Sequence, residues 1–309
     1  MTPACARARA ARLAHLALLR VAARFDARTP ARVTKKMARA ARRYFASGKK
    51  LPRQRPPTHI EERYREQLLK VLAMLRAAMR PLLDELPDLL DEAVPIAQVG
   101  ARADAGEGKR ARDLMGVARK RLREGLSDRQ VESLAKDFAS RTLAHSKQQL
   151  ARQYAAGLGI EPFVRERQLV PVIEAFVDSN VGLIRDLTDK VAHEIEQATL
   201  RAIQDGTRHE TLAVEIDKRF QLGEDRAALI ARDQIGKAYG QANAAQQRAI
   251  GVGKFIWRTV KDERVRDEHE VLEGLTFSYD DPPDEGLPGE PINCRCYPEP
   301  YLDDFFDDL

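Results

Sequence analysis

Phe255-Ile256-Trp257-Arg258-Thr259-Val260 leads, through Asp262, Arg264-Val265-Arg266, His269, Leu272 and Gly274, into a loop of Pro, Gly and acids that ends at Pro291-Ile292-Asn293-Cys294-Arg295-Cys296. This window holds the only Trp, the last His and two of the three Cys in 309 residues. Its opening run is aromatic and β-branched, which predicts a β-strand over 255–260. His269 falls on a short helical turn predicted over 264–273. Cys294 and Cys296 are two residues apart, so in extended backbone both sulfurs leave the same face and can reach one ion. A disulfide between them would be badly strained.

Two readings of these residues stand side by side. In the first, His269, Cys294 and Cys296 bind zinc in a closed structural site, with the carboxylate of Asp262 or Asp267 as fourth ligand. In the second, the two Cys are small buried apolar groups and His269 is a satisfied polar residue of the core.

The order W-x-T-x-x-D-x-x-x-R-x-x-H-x-x-L-x-G, a Pro-rich loop, then P-x-N-C-R-C resembles the signature of the phage Mu F-type head morphogenesis (minor head protein) family. The matching positions are Trp257, Thr259, Asp262, Arg266, His269, Leu272, Gly274, Pro291, Asn293, Cys294, Arg295 and Cys296. Upstream, Ala231-Arg232-Asp233-Gln234 with Tyr239 and Asn243 resembles the family's preceding helix, which usually reads Ala-Arg-Thr-Glu; here Asp233 and Gln234 depart from it. The resemblance covers roughly 205–300. It implies a virion component that acts in head assembly, inside the head or near the portal, after residence in the host cytoplasm. The implied partners are portal and major capsid proteins and packaged double-stranded DNA, in an oligomeric setting.

Outward from the window, the chain reads as helical. Charged residues make up 32% and aromatics 6%, a composition suited to long helices. The fold class expected is mainly α-helical with a small α+β C-terminal module. No run approaches twenty apolar residues, so no membrane span is expected. Three Cys, two of them adjacent in register, speak against a disulfide framework.

The net charge of +5 conceals opposed ends. Residues 1–60 carry twelve Arg and four Lys against Asp26 alone, giving +15; residues 280–309 carry ten acids against Arg295, giving −9. A basic arm and linker is therefore expected over 1–57, with Arg39, Arg42, Arg43, Lys49, Lys50, Arg53 and Arg55 as candidate contacts to nucleic acid. The same composition also fits an organellar targeting segment, or a helix that neutralises an acidic surface.

Within the arm, helices are predicted over 10–25 and 30–47, followed by an exposed linker over 49–57 with three Pro. A helical region over 58–205 follows. Thr58-His59-Ile60-Glu61 has the pattern of a capping box opening a helix to about Arg80, after which Pro81, Pro87 and Pro95 break the chain into short pieces. Residues 100–108 read as a loop, and helical signals return over 109–157 with Ser127-Asp128-Arg129-Gln130 as a second capping box. The segment 161–205 is helical, with Pro171 as a kink. The head-morphogenesis module is placed at 206–302 and an acidic tail at 303–309. In the module, Thr207-Arg208-His209-Glu210 opens a helix through Phe220, Leu222-Gly223 turns, and a second helix spans 224–250.

Chemistry beyond the window is sparse. His193-Glu194 has Gln197 where a zinc-protease helix needs its second His, and no Gly-rich phosphate loop or nucleophile elbow occurs. The sequence is therefore read as non-enzymatic, with no catalytic residue assigned. Two rivals remain: a metal-dependent nuclease or toxin-like enzyme built on Asp262, Arg266 and His269, and a free DNA-binding protein unconnected with particles.

Overall fold

A computed structural model describes residues 43–44, 50–91, 106–159 and 169–302. The helix predicted over 10–25, most of that over 30–47, Arg39, Arg42, Lys49, Pro95 and the acidic tail lie outside the described residues. The elements are α1 (Thr58–Ala78), α2 (Arg80–Asp91), α3 (Glu107–Gly125), α4 (Asp128–Leu158), α5 (Val170–Asp205), α6 (His209–Ala249), β1 (Lys254–Arg258), α7 (Asp267–Glu270), β2 (Thr276–Ser278) and β3 (Tyr297–Pro300). The mainly helical fold with one small C-terminal sheet agrees with the sequence reading. No described helix is long and apolar enough to cross a membrane.

These elements make two compact units, interleaved along the chain. One is built from His59–Asp137 and Val177–Arg232; the other from the residues up to Thr58, Phe138–Phe176 and Asp233 onward.

Among the described residues, the regular elements of the first unit are all helices. Along α1, Leu68, Val71, Leu72, Leu75 and Met79 recur three and four residues apart and are buried, as an amphipathic stripe requires. Each such burial is worth about 1.5–3 kcal/mol. Tyr64 and Asn180 meet inside this unit in a 2.6 Å hydrogen bond from the phenol to the amide oxygen. The capping box at Ser127 forms as its sequence demands: the Ser127 amide donates to Gln130 Oε1 at 2.8 Å and the Gln130 amide to Ser127 Oγ at 3.4 Å. The other two boxes differ from expectation, since α1 begins at Thr58 itself and α6 at His209.

Three prolines and glycines act otherwise than their residue types predict. Pro87 lies inside α2 instead of ending it. Burial of Leu82, Leu86, Leu89 and Leu90 outweighs the roughly 3 kcal/mol that an interior proline costs. Pro171 sits in the first turn of α5, where its missing amide is no loss, and makes no mid-helix kink. Leu222-Gly223 is no turn: α6 runs unbroken for 41 residues. A Cβ on Gly223 would come within 2.9 Å of Val191 Cγ2 and 3.5 Å of the Leu72 methyls, so glycine there eases close helix packing against side chains alone. Gly206, at φ 63°, does end α5, and the Thr207 amide reaches back to the Ala202 carbonyl.

In the second unit the sheet order is β2-β1-β3, antiparallel throughout, with Phe255 opposite Phe277 and Trp257 opposite Pro298. The prolines of β3 fall on an edge strand, where a missing donor is tolerated. Phe255 and Trp257 are fully buried, and with Ala244, Tyr279, Leu287, Cys294 and Cys296 they form one core cluster. A second cluster joins Leu51, Leu150, Tyr154, Leu169, Ile250, Val252 and Leu302.

The segment 50–57 is not an exposed linker. Leu51, Gln54 and Pro57 are buried. The Tyr239 hydroxyl donates to Gln54 Oε1 at 2.7 Å, Gln54 Nε2 donates to Gln153 Oε1 at 2.9 Å, and Gln153 Nε2 donates to the Pro52 carbonyl at 2.9 Å. Prolines suit such an extended segment, and glutamine side chains satisfy the amides and carbonyls that no sheet or helix covers.

Candidate metal centre

The site is built from a helical turn, a tight loop and the face of a long helix. β1 delivers Trp257 to the core, and Gly274, at φ 86°, returns the chain so that its amide donates to the Trp257 carbonyl at 2.8 Å. Between them α7 holds His269, whose ring packs edge-on against the Trp257 indole at 5.4 Å between centroids.

The Cys loop is clamped from several sides. Asn293 adopts φ 59°, and its amide donates to Asp233 Oδ1 on α6 at 2.9 Å. Lys237 Nζ and Gln234 Nε2 hold the other Asp233 oxygen at 2.7 and 2.9 Å. Arg266 donates to the Ile292 carbonyl at 2.6 Å. Beneath the loop, α6 carries Gly236 and Gly240, four residues apart on one face. A Cβ at Gly236 would lie 2.7 Å from the Cys294 carbonyl oxygen, and one at Gly240 within 2.2 Å of the Pro288 oxygen. The two glycines form a floor on which loop backbone rests directly on helix backbone.

This construction brings three predicted residues together. Cys294 Sγ lies 3.5 Å and Cys296 Sγ 3.6 Å from His269 Nδ1, and the three are 5%, 3% and 2% exposed. Their donor atoms lie within 4.8 Å of one another, a set able to hold a metal ion. The opposite ring nitrogen, His269 Nε2, is buried without a hydrogen bond and lies 3.6 Å from Glu285 Oε2.

The two thiols are electrostatically distinct. The Cys294 thiol is held well below its usual range by the neighbouring Cys296 thiol, by His269 and by the backbone amides of Cys296 and Gly289. Cys296 is pushed up in return, by Cys294 and by burial, with the Trp257 indole opposing. His269 is raised by its contact with Cys294, against the opposite pull of burial.

The remaining predicted residues take other places. Asp262 does not join the three: both its oxygens are engaged by Arg295, at 2.7 and 2.5 Å, and Oδ1 also accepts the Arg264 amide. Asp267 is exposed in the first turn of α7, and among the described residues no fourth His, Cys or carboxylate completes the group. Thr259 is buried, and its amide donates to Glu273 Oε2 at 2.6 Å. Arg53, expected to face nucleic acid, pairs with Glu273 at 3.1 Å. Arg43, Lys50 and Arg55 are exposed.

Sequence reasoning missed Glu285, the Gly289 amide, the clamp by Asp233 and the glycine floor. Of these only the floor has a legible signal, two glycines spaced i and i+4 on an otherwise strong helix.

Residues 193–298 match the model of the family described as Phage Mu protein F like protein. An uncharacterised protein of Haemophilus influenzae is 29% identical over 248 residues, which cover 78% of this chain and 53% of the relative. An uncharacterised protein of Methanocaldococcus jannaschii is 34% identical over 102 residues, 33% of this chain and 16% of that relative. The match thus spans about half the length of the first relative and far less of the second. No solved structure matches the chain. The sheet, the cluster and the helix beneath it all fall in or against the segment over which the chain is similar to the Phage Mu protein F like family.

Proposed function

We propose that this chain is a minor head protein that acts in head morphogenesis beside the portal and assists packaging or ejection of DNA. The observation that carries the reading is the match over 193–298, a segment that holds β1, α7, β2 and the Cys loop. Portal and major capsid proteins are its partners, and it is oligomeric in the particle. The basic segment 1–57, with Arg43, Lys50 and Arg55 exposed at its described end, provides the contact to packaged double-stranded DNA.

No reaction is part of this reading. His269, Cys294 and Cys296 are nearly inaccessible, as in a closed structural site, whereas a hydrolytic metal keeps a position open to substrate.

Quantitative mass spectrometry of purified particles tests the proposal. Low, reproducible copy number in heads is expected; absence from heads and proheads, with the chain abundant in the soluble fraction, would overturn it. DNA affinity should fall steeply with salt and lose that dependence when residues 1–49 are removed, a deletion that leaves the packed segment 50–57 intact. Unchanged binding would remove the arm from the DNA role.

A further inference from the structure

We propose that His269 Nδ1, Cys294 Sγ and Cys296 Sγ bind one zinc ion that staples α7 to the Cys loop, with Glu285 orienting the imidazole from its far side. This inference stands on the geometry of the module and is independent of the head-protein reading.

Four observations converge. First, Zn–S bonds of about 2.3 Å and a Zn–N bond of about 2.0–2.1 Å at a tetrahedral angle put sulfur and nitrogen about 3.6 Å apart. The two sulfur-to-Nδ1 distances are 3.5 and 3.6 Å, and both thiols address the same ring nitrogen. A single imidazole nitrogen has one proton or one lone pair, so two simultaneous hydrogen bonds to it cannot both be good; one cation between all three atoms satisfies them together.

Second, amides are already turned toward the sulfur as metal-bound thiolates require. The Cys296 amide donates to Cys294 Sγ at 3.4 Å, and the Gly289 amide also acts on that sulfur. The Trp257 indole N–H is buried without a hydrogen bond in the same core cluster as both Cys.

Third, His269 Nε2 is a buried, unpaired polar atom facing a carboxylate at 3.6 Å. With Nδ1 on the metal, Nε2 becomes the protonated nitrogen and Glu285 its acceptor, the carboxylate–histidine–zinc arrangement that fixes ring orientation. Glu285 lies across the ring from the two sulfurs and is therefore a positioning residue.

Fourth, the supporting backbone brings the two thiols to one place. Asn293 at positive φ, the Asp233 clamp and the Gly236–Gly240 floor set the loop where both thiols converge. The sequence reading offered Asp262 or Asp267 as fourth ligand; the ion pair with Arg295 removes Asp262, Asp267 is exposed, and among the described residues the protein ligands are these three.

The test uses the full chain, purified reduced and equilibrated with zinc. Elemental analysis should give one zinc per chain surviving dialysis, and cobalt reconstitution should give a thiolate charge-transfer band with tetrahedral visible absorption. Cys294→Ser and Cys296→Ser should lose the metal. To separate loss of metal from loss of fold, His269→Cys serves as the conservative exchange: it should keep the metal with a stronger charge-transfer band and unchanged helical circular dichroism. Glu285→Gln, at a half-exposed position, should weaken zinc binding about 10–100-fold while the protein remains folded. A reduced wild-type chain that holds no zinc above buffer level, and whose two thiols are alkylated equally fast with and without zinc, would overturn the proposal.

Discussion

The helical unit and the sheet-bearing module differ in how their stability is distributed. Helices α1, α2, α3 and α5 present apolar stripes in which burial is spread over many side chains, and no one residue is decisive. In the module, a few residues are each engaged several times over. Trp257 packs on His269 and shares a core cluster with both Cys, Glu273 accepts from the Thr259 amide and meets Arg53, Arg258 and Lys261, and Asp233 holds the loop by one oxygen. Short segments with three strands of three to five residues cannot supply a core of their own by area, so they concentrate contacts.

The comparison is broken most sharply by truncating its two centres. Trp257→Ala should cost about 3–5 kcal/mol and release the module, whereas Leu75→Ala in α1 should cost about 2–5 kcal/mol and leave the module's near-ultraviolet signal in place. Chemical denaturation followed by near- and far-ultraviolet circular dichroism separates the two, since two units need not unfold in one step.

Gly240→Ala sharpens the contrast further. The new Cβ meets backbone at 2.2 Å, so the loop must lift, and a loss of about 1–3 kcal/mol is expected. Gly223→Ala meets only the methyl of Val191 at 2.9 Å, and alanine's helix propensity returns about 1 kcal/mol. Thermal melting should show the first variant clearly destabilised and the second near wild type; equal losses would mean that the floor is no more constrained than the bundle.

Acid titration probes Glu273. Burial pushes this carboxyl up, but the Thr259 amide and Arg258 and Arg53 outweigh it and hold it below its ordinary value. A depressed carboxylate contributes stability that is present above the unfolded value of about 4.3 and is lost as pH falls through the folded one. Stability of the wild type should therefore decline on that acid limb, and Glu273→Gln should be less stable at neutral pH with a flatter limb. Parallel pH profiles would remove Glu273 from its place as hub.

The smallest effect belongs to the bundle surface. Val214, 70% exposed on α6, should change stability by less than about 0.5 kcal/mol when replaced by Ser.

The helices were legible because they rest on local signals: the stripe of α1, the Ser127 box, and Gly206 as a stop. The reading failed where tertiary contacts override local type. Gly223 and Pro87 look like breaks to the sequence, but packing against Val191 and Leu72 and burial of the α2 leucines keep both inside helices. The prolines of 50–57 suggest exposure, while their glutamine partners lie about a hundred residues away in sequence. At the site, His269, Cys294 and Cys296 were found by chemistry alone. Asp262 was chosen for proximity in sequence, which says nothing about the arginine that takes it.

Hydrogen exchange of the reduced full chain, with zinc and after chelation, tests most directly whether the module depends on a concentrated centre. Chelation should abolish protection across β1, α7 and residues 286–298 while α1, α2 and α3 exchange as before. Protection that is unchanged everywhere, or lost evenly from the helices and the module, would contradict the account.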